Sequence, residues 1–132
     1  MEHTALIYVM VLMSAADSDM TDRELFTMGE MVRIFPVFRD FNQELLPKLS
    51  EDCAEILGQK DGLDAVIEII ADSLPPNLRE TAYALACDIA ATDGILATEE
   101  IKLLEFLRHR LDVDRLTAAA IERGARARHA TL

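Results

Sequence analysis

The segment from Ala5 to Ala16 most constrains the fold, because it is an apolar run in which Ser14 is the only polar residue. A membrane-spanning helix needs about 20 such residues, so this run is too short to cross a bilayer. The residues before it carry no positively charged side chain and acidic residues follow at once, which argues against a signal peptide. We therefore expect a helix that is buried on nearly all sides.

The rest of the chain carries helix signals and no strand signals. A capping box joins Thr21 to Glu24, and Pro36 ends the helix that follows. A second strongly apolar stretch runs from Asn77 to Ala91. With 5 glycines and 4 prolines, the chain has little material for the turns of an all-β fold. We expect one all-α domain over residues 1–132, a bundle of six to seven helices with an internal pseudo-twofold repeat.

Helical spacing assigns two apolar stripes to buried helix faces. They are Leu25, Met28, Val32 and Phe35, and Ile101, Leu104, Leu107 and Leu111. A last helix is expected to begin near residues 112–114, and the part of the basic tail (residues 123–132) from Gly124 to His129 is expected to fray.

Charge and cysteine content limit the classes of function. The chain has 24 acidic and 13 basic residues and a net charge of -11. Its last ten residues hold three arginines and no acid, so the first 122 residues carry -14. Such a body repels phosphate backbones, which excludes a nucleic-acid binder with a broad basic face and favours cations or a basic partner. Cys53 and Cys87 lie in apolar helical surroundings, so we expect buried thiols in a reducing compartment.

An internal repeat appears when the sequence is shifted by 76 residues. Each unit, about 5–36 and 78–112, consists of an apolar helix, an acidic loop and an amphipathic helix. Both units keep the Asp that ends the first helix and a Glu seven residues later. The repeated acids are Asp17 and Glu24 in the first unit, and Asp93 and Glu100 in the second. The two most apolar helices are expected to pack against each other.

Paired carboxylates beside helix-terminal carbonyl groups are oxygen ligands that hard divalent cations prefer. The sequence therefore predicts that Asp17, Glu24, Asp93 and Glu100 bind a divalent metal ion: calcium, magnesium or manganese. We expect both loops to converge at one end of the bundle, with the four carboxylates within about 10 Å of one another, near enough for ions and water to bridge them. Antiparallel packing of the two apolar helices would instead place the loops at opposite ends, about 20 Å apart. The loops are not EF-hands, and the three histidines lack the spacing of a zinc site.

Other interpretations stay open. Each Glu and Asp can instead be a structural helix cap. Asp88 interrupts an apolar helix face, so it is either solvated at the bundle edge, or buried as a third oxygen ligand or a hydrogen-bond anchor for the second loop. A hydrolase with a metal-bound water is a weaker alternative, because the chain offers no histidine or further acid cluster at a clear spacing. No catalytic residue is assigned.

The acidic loops carry a resemblance to a known family. Residues 15–24 and 78–100 are similar to the TerB-like tellurite-resistance family, in which an Ala-Asp-Gly loop, an apolar residue and a helix-starting Glu occur twice. The similarity covers roughly residues 5–112. The second copy keeps Asp93, Gly94, Leu96 and Glu100, whereas the first has Ser18 where the family commonly has Gly.

The resemblance implies a bacterial, cytoplasmic helical bundle without enzymatic activity, associated with tellurite resistance, chemical stress and phage defence. It also implies divalent-metal binding by the four repeated acids, with Asp88 as a possible addition. We expect action through protein partners, with no nucleic acid and no membrane span. The arginine-rich tail would suit an acidic partner or an anionic membrane surface, and a homodimer is left open.

Overall fold

Seven α-helices make up most of the part of the chain that the computed structural model describes, which is residues 1–16, 22–92 and 98–132. These ranges contain no β-strand, so the predicted all-α class and the predicted number of helices are confirmed. The helices are α1 (Glu2–Ser14), α2 (Asp22–Ile34), α3 (Leu46–Leu57), α4 (Gly62–Ser73), α5 (Arg79–Ala91), α6 (Thr98–Arg110) and α7 (Arg115–Arg128). Short 3-10 helices cover Pro36–Phe38, Gln43–Leu45 and Pro76–Leu78.

The helix α1 lies at the centre of the bundle. Every residue from Ala5 to Ser14 is buried, as expected for a helix that is apolar on all sides. It packs against α3, α4 and α5. The contact between α1 and α5 confirms that the two most apolar helices pack on each other. No helix among the described residues combines the length and apolar character needed to cross a membrane.

The helix α5 carries the second half of the bundle. It contacts α6 and α7 on the sides that α1 leaves open, and α2 packs on it as well. The connection between α2 and α5 consists of α3, α4 and the short 3-10 helices. Its tight α3–α4 turn requires Gly62, since a Cβ atom there would overlap the carbonyl oxygen of Ile56.

The C-terminal helix α7 is longer than the sequence indicated. The carboxylate of Asp114 accepts hydrogen bonds from the backbone amide and the hydroxyl of Thr117, at 3.1 and 2.6 Å, and so caps its start. The helix continues to Arg128, and Ala125 is buried. The prediction that the tail frays from Gly124 was therefore wrong, because packing of α7 on α5 outweighs the low helix propensity of one glycine.

Candidate functional site

The two repeated glutamates occupy equivalent places in the structure. Glu24 is the third residue of α2 and Glu100 is the third residue of α6. Both lie in the first helical turn, where the helix dipole and the free backbone amides favour a negative charge. Both side chains are nevertheless buried, with residue exposures of only 5% and 6%. Burial of a carboxylate is costly unless hydrogen bonds or an opposite charge compensate it.

The buried faces of α2 and α6 begin with these glutamates. The buried residues of α2 are Glu24, Met28, Met31 and Val32, and those of α6 are Glu100, Leu103, Leu104 and Leu107. Both sets contain the spacing i, i+4, i+7 of one helix face. The two units of the repeat therefore turn the same residue type inward at the same position.

The apolar residue after each glutamate points outward instead. Leu25 is 48% exposed and Ile101 is 50% exposed, so assigning them to buried stripes was wrong. Each helix turns about 100° per residue, so the glutamate and the next residue cannot share one narrow face. The other predicted stripe members, Met28, Val32, Leu104, Leu107 and Leu111, are buried, and Phe35 is partly buried just after α2 ends.

The aspartates of the repeat, Asp17 and Asp93, lie outside the described residues. The prediction that four carboxylates converge within about 10 Å therefore stays a prediction. Within residues 1–16, 22–92 and 98–132, no group of three or more His, Cys, Asp or Glu side chains is placed to hold a metal ion. Any site of the predicted kind thus needs residues of the two acidic loops.

Asp88 is buried and bound by the end of α7. Its Oδ1 atom accepts hydrogen bonds from Arg128, at 3.2 Å from Nε and 2.7 Å from Nη2. The Nε2 atom of His129 lies 3.4 Å from the same oxygen. The carboxylate belongs to a side chain that is only 5% exposed, so it is not solvated at the bundle edge. Engagement by a guanidinium favours an anchoring role over metal ligation.

A second polar contact, between a buried tyrosine and a partly buried glutamate, joins α5 to α7. The hydroxyl of Tyr83 donates a 2.6 Å hydrogen bond to Glu122 across α5 and α7, and burial raises the pKa of this phenol. The pair borders a cleft of about 490 Å³ whose rim carries Arg108 and Arg115. A contact between residues 39 positions apart has no local signature, so only the fold reveals it.

Comparison with known proteins completes the description. The family described as tellurite resistance protein TerB matches residues 3–123, nearly the whole chain. No curated protein matches the chain, and no solved structure does. The match includes both acidic loops and the helices that flank them, and it agrees with the all-helical architecture. The chain therefore belongs to the TerB family.

Proposed function

We propose that this TerB-family protein binds a divalent cation through its two acidic loops and acts, without catalysis of its own, by docking on protein partners. The observation that carries the metal-binding part is the inward orientation of Glu24 and Glu100 at equivalent positions, while Leu25 and Ile101 face solvent. An ordinary amphipathic helix would bury the apolar residue and expose the acid. Both helices bury the acid and expose the apolar residue that follows it. We infer from this repeated pattern that the two carboxylates have a function.

The chemistry of the repeated acids suits a hard cation. Carboxylate oxygens are the preferred ligands of calcium, and of magnesium and manganese where waters complete the shell. In this proposal Asp17 and Asp93 supply the remaining carboxylates, next to Glu24 and Glu100. Asp88 is left as the anchor of α7, because its Oδ1 atom already accepts two hydrogen bonds from Arg128.

The cellular part of the proposal follows from family membership and net charge. The family's name supports a role in tellurite resistance, and a cytoplasmic site of action accords with two free, buried cysteines. A net charge of -11 favours a basic partner surface. Cation binding would lower that charge locally, which offers a way to couple the metal to partner docking.

Calorimetric titration with calcium, magnesium and manganese tests the metal-binding proposal on the wild type, on two glutamate variants and on a control variant. Glu24→Gln and Glu100→Gln each remove one carboxylate but preserve size, and glutamine can still make the backbone contact that glutamate makes at the third helical position. We expect binding tighter than millimolar in the wild type and a loss of at least about tenfold in affinity, or about 1.4 kcal/mol, in each variant.

Glu99→Gln is the matched control for Glu100→Gln. It removes the same charge from the same helical turn, but Glu99 is exposed. Its metal affinity is expected to stay close to that of the wild type. The metal site would be refuted if the wild type bound none of the three cations more tightly than millimolar. Equal losses of affinity in Glu99→Gln and Glu100→Gln would show that the cations are only attracted nonspecifically.

A second candidate function is an interaction module in which the acids only cap helices. It is favoured by the placement of Glu24 and Glu100 at the third position of their helices, where a capping-box carboxylate belongs. In this case an Asp17→Ala/Asp93→Ala double variant loses about 1–2 kcal/mol of stability in metal-free buffer. Its response to added cations would then match that of the wild type.

A further inference from the structure

The outer face of α2 carries a seam of four residues, three of them exposed and one, Gly29, partly exposed. Asp22, Phe26, Gly29 and Arg33 recur at spacings of four, three and four residues, which is the seam spacing of a two-helix coiled coil. At 100° per residue they fall within an arc of about 60°. The buried residues of α2 lie on the other side of the helix. Phe26 is 71% exposed, at the edge of a cavity of about 250 Å³ that Asp88 and Arg128 also line.

Gly29 is unexplained by the packing of a single chain. It lies in the interior of α2, where glycine is less favourable than alanine. A Cβ atom at this position would meet no other atom of residues 1–16, 22–92 and 98–132 within 4 Å, so nothing in this part of the chain requires glycine. Without a side chain, the helix surface beside Phe26 stays low enough for another helix to approach closely.

The charges of the seam fit a second copy of α2 in the antiparallel direction. With the twofold axis between residues 27 and 28, Phe26 of each copy faces Gly29 of the other. The same register places Asp22 opposite Arg33 at both ends of the contact. In a parallel arrangement Asp22 would instead lie beside Asp22 of the second copy, and Arg33 beside Arg33, so that like charges would meet. Charge and shape therefore select one orientation.

The flank of the seam agrees with this register. Arg23 and Glu30 follow the seam on one side, and the equivalent flanks of antiparallel helices face each other. Arg23 of one copy then lies near Glu30 of the other. Glu30 already pairs with Arg33 within its own chain at 2.7 Å, so the charges would form a short network across the contact.

We propose that α2 is the contact of a homodimer, with Phe26 of each copy seated over Gly29 of the other. A single pair of helices about 20 Å long buries less than the roughly 1,200 Å² typical of stable complexes. The dimer is therefore expected to be weak and reversible, with a dissociation constant in the micromolar range. This inference does not depend on metal binding.

Sedimentation equilibrium of the full chain at physiological ionic strength, from micromolar to hundreds of micromolar, tests the dimer. The wild type is expected to shift from monomer to dimer, and Phe26→Ser to weaken association at least tenfold. Leu116→Ser is the matched control, because Leu116 is an exposed leucine on α7. A wild type that stays monomeric throughout, or equal losses in the two variants, would overturn the proposal.

Gly29→Ala separates association from stability. Alanine favours the helix and meets no neighbour, so the melting temperature of the dilute monomer is expected to rise by about 2–5 °C. The added methyl group fills the space for Phe26 of the other copy, so dimerisation is expected to weaken. Undiminished dimerisation of this variant would overturn the proposal.

A charge exchange tests the orientation. Asp22→Arg alone places two arginines opposite each other at both ends and is expected to weaken the dimer. Addition of Arg33→Asp restores opposite charges and is expected to recover most of the lost affinity. A double variant that is as weak as Asp22→Arg, with helical content confirmed by circular dichroism, would refute the antiparallel register.

Discussion

At the scale of single residues, the two cysteines show how the apolar core changes the chemistry of a side chain. Cys53 is fully buried in α3, and its Sγ atom lies 3.9 Å from the carbonyl oxygen of Tyr8. Cys87 is buried in α5. Burial disfavours the thiolate and raises the pKa of each thiol to about 12. The prediction of buried, unreactive thiols follows from their apolar neighbours in sequence.

These raised pKa values predict a loss of stability at alkaline pH. Below about pH 9 both thiols are protonated in the folded and unfolded chains, so the free energy of unfolding does not depend on them. Between pH 9 and 12 only the unfolded chain releases these protons, which lowers the free energy of unfolding by at most about 1.4 kcal/mol per pH unit for each thiol.

Urea unfolding at several pH values measures this effect. The Cys53→Ala/Cys87→Ala variant is the reference, since it keeps the tyrosines, lysines and arginines of the chain but lacks both thiols. We expect the wild type to lose stability more steeply above pH 9 than this variant does. Parallel curves for the two proteins, or rapid alkylation of the native thiols at pH 8, would contradict the assigned burial.

The identity of the repeated acids was predictable from sequence, but their burial was not. Glu24 and Glu100 stand out because they recur at equal spacing after an acidic loop. Spacing alone, however, assigned Leu25 and Ile101 to the core, because a hydrophobic pattern ranks leucine and isoleucine above glutamate. The rotation of a helix about its axis depends on its tertiary partners, and a local pattern does not contain them.

At the scale of helices, the end of α7 shows what a local pattern omits. Gly124 and the arginines around it have weak apolar periodicity, which indicated fraying. The side chain that holds this end is Asp88, which lies 40 residues earlier, on α5. The position of Asp88 in an apolar helix is unusual in the sequence itself, but its partner Arg128 is identified only by the fold.

The Asp88–Arg128 contact predicts an asymmetric effect of substitution. Arg128→Met leaves a buried carboxylate without its main counter-charge and is expected to cost about 1–3 kcal/mol, since Arg128 itself is half-exposed. Asp88→Leu together with Arg128→Met is expected to recover most of this loss. Leucine is the residue at the equivalent place in the first repeat, where Leu12 is buried.

Arg126→Met is the control for this cycle, because Arg126 is an exposed arginine on the same helix. Its effect on the free energy of unfolding, measured by urea denaturation, is expected to stay within about 0.5 kcal/mol. Equal costs for Arg126→Met and Arg128→Met would show that the ion pair does not secure α7.

At the scale of the whole molecule, the bundle is organised around the pair α1 and α5. Besides contacting each other, α1 packs against α3 and α4, and α5 packs against α2, α6 and α7. The sequence predicted this arrangement because two helices that are apolar on all sides have no stable place except next to each other. The relation between the acidic loops was not predictable, since it depends on the angle at which α1 and α5 cross, and side-chain packing sets that angle.

The overall charge separates general electrostatics from specific cation binding. A chain with a net charge of -11 holds its acids closer together when folded than when unfolded, so self-repulsion lowers its stability. Raising the ionic strength from about 0.01 to 0.15 M shortens the screening length from about 30 to 8 Å. We expect the melting temperature of the wild type to rise by a few degrees over this range of sodium chloride.

The melting temperature of a Glu24→Gln/Glu100→Gln double variant should rise by nearly the same amount when sodium chloride is added, because this variant keeps most of the net charge. Magnesium, calcium or manganese chloride at equal ionic strength should raise the melting temperature of the wild type further, since a bound ligand stabilises the folded chain by mass action. The double variant should lack most of this additional increase. Melts followed by circular dichroism measure both effects in one series. If the melting curves of the wild type were identical in sodium and divalent salts at equal ionic strength, screening alone would explain the effect of salt. The role of the buried Glu24 and Glu100 would then be structural.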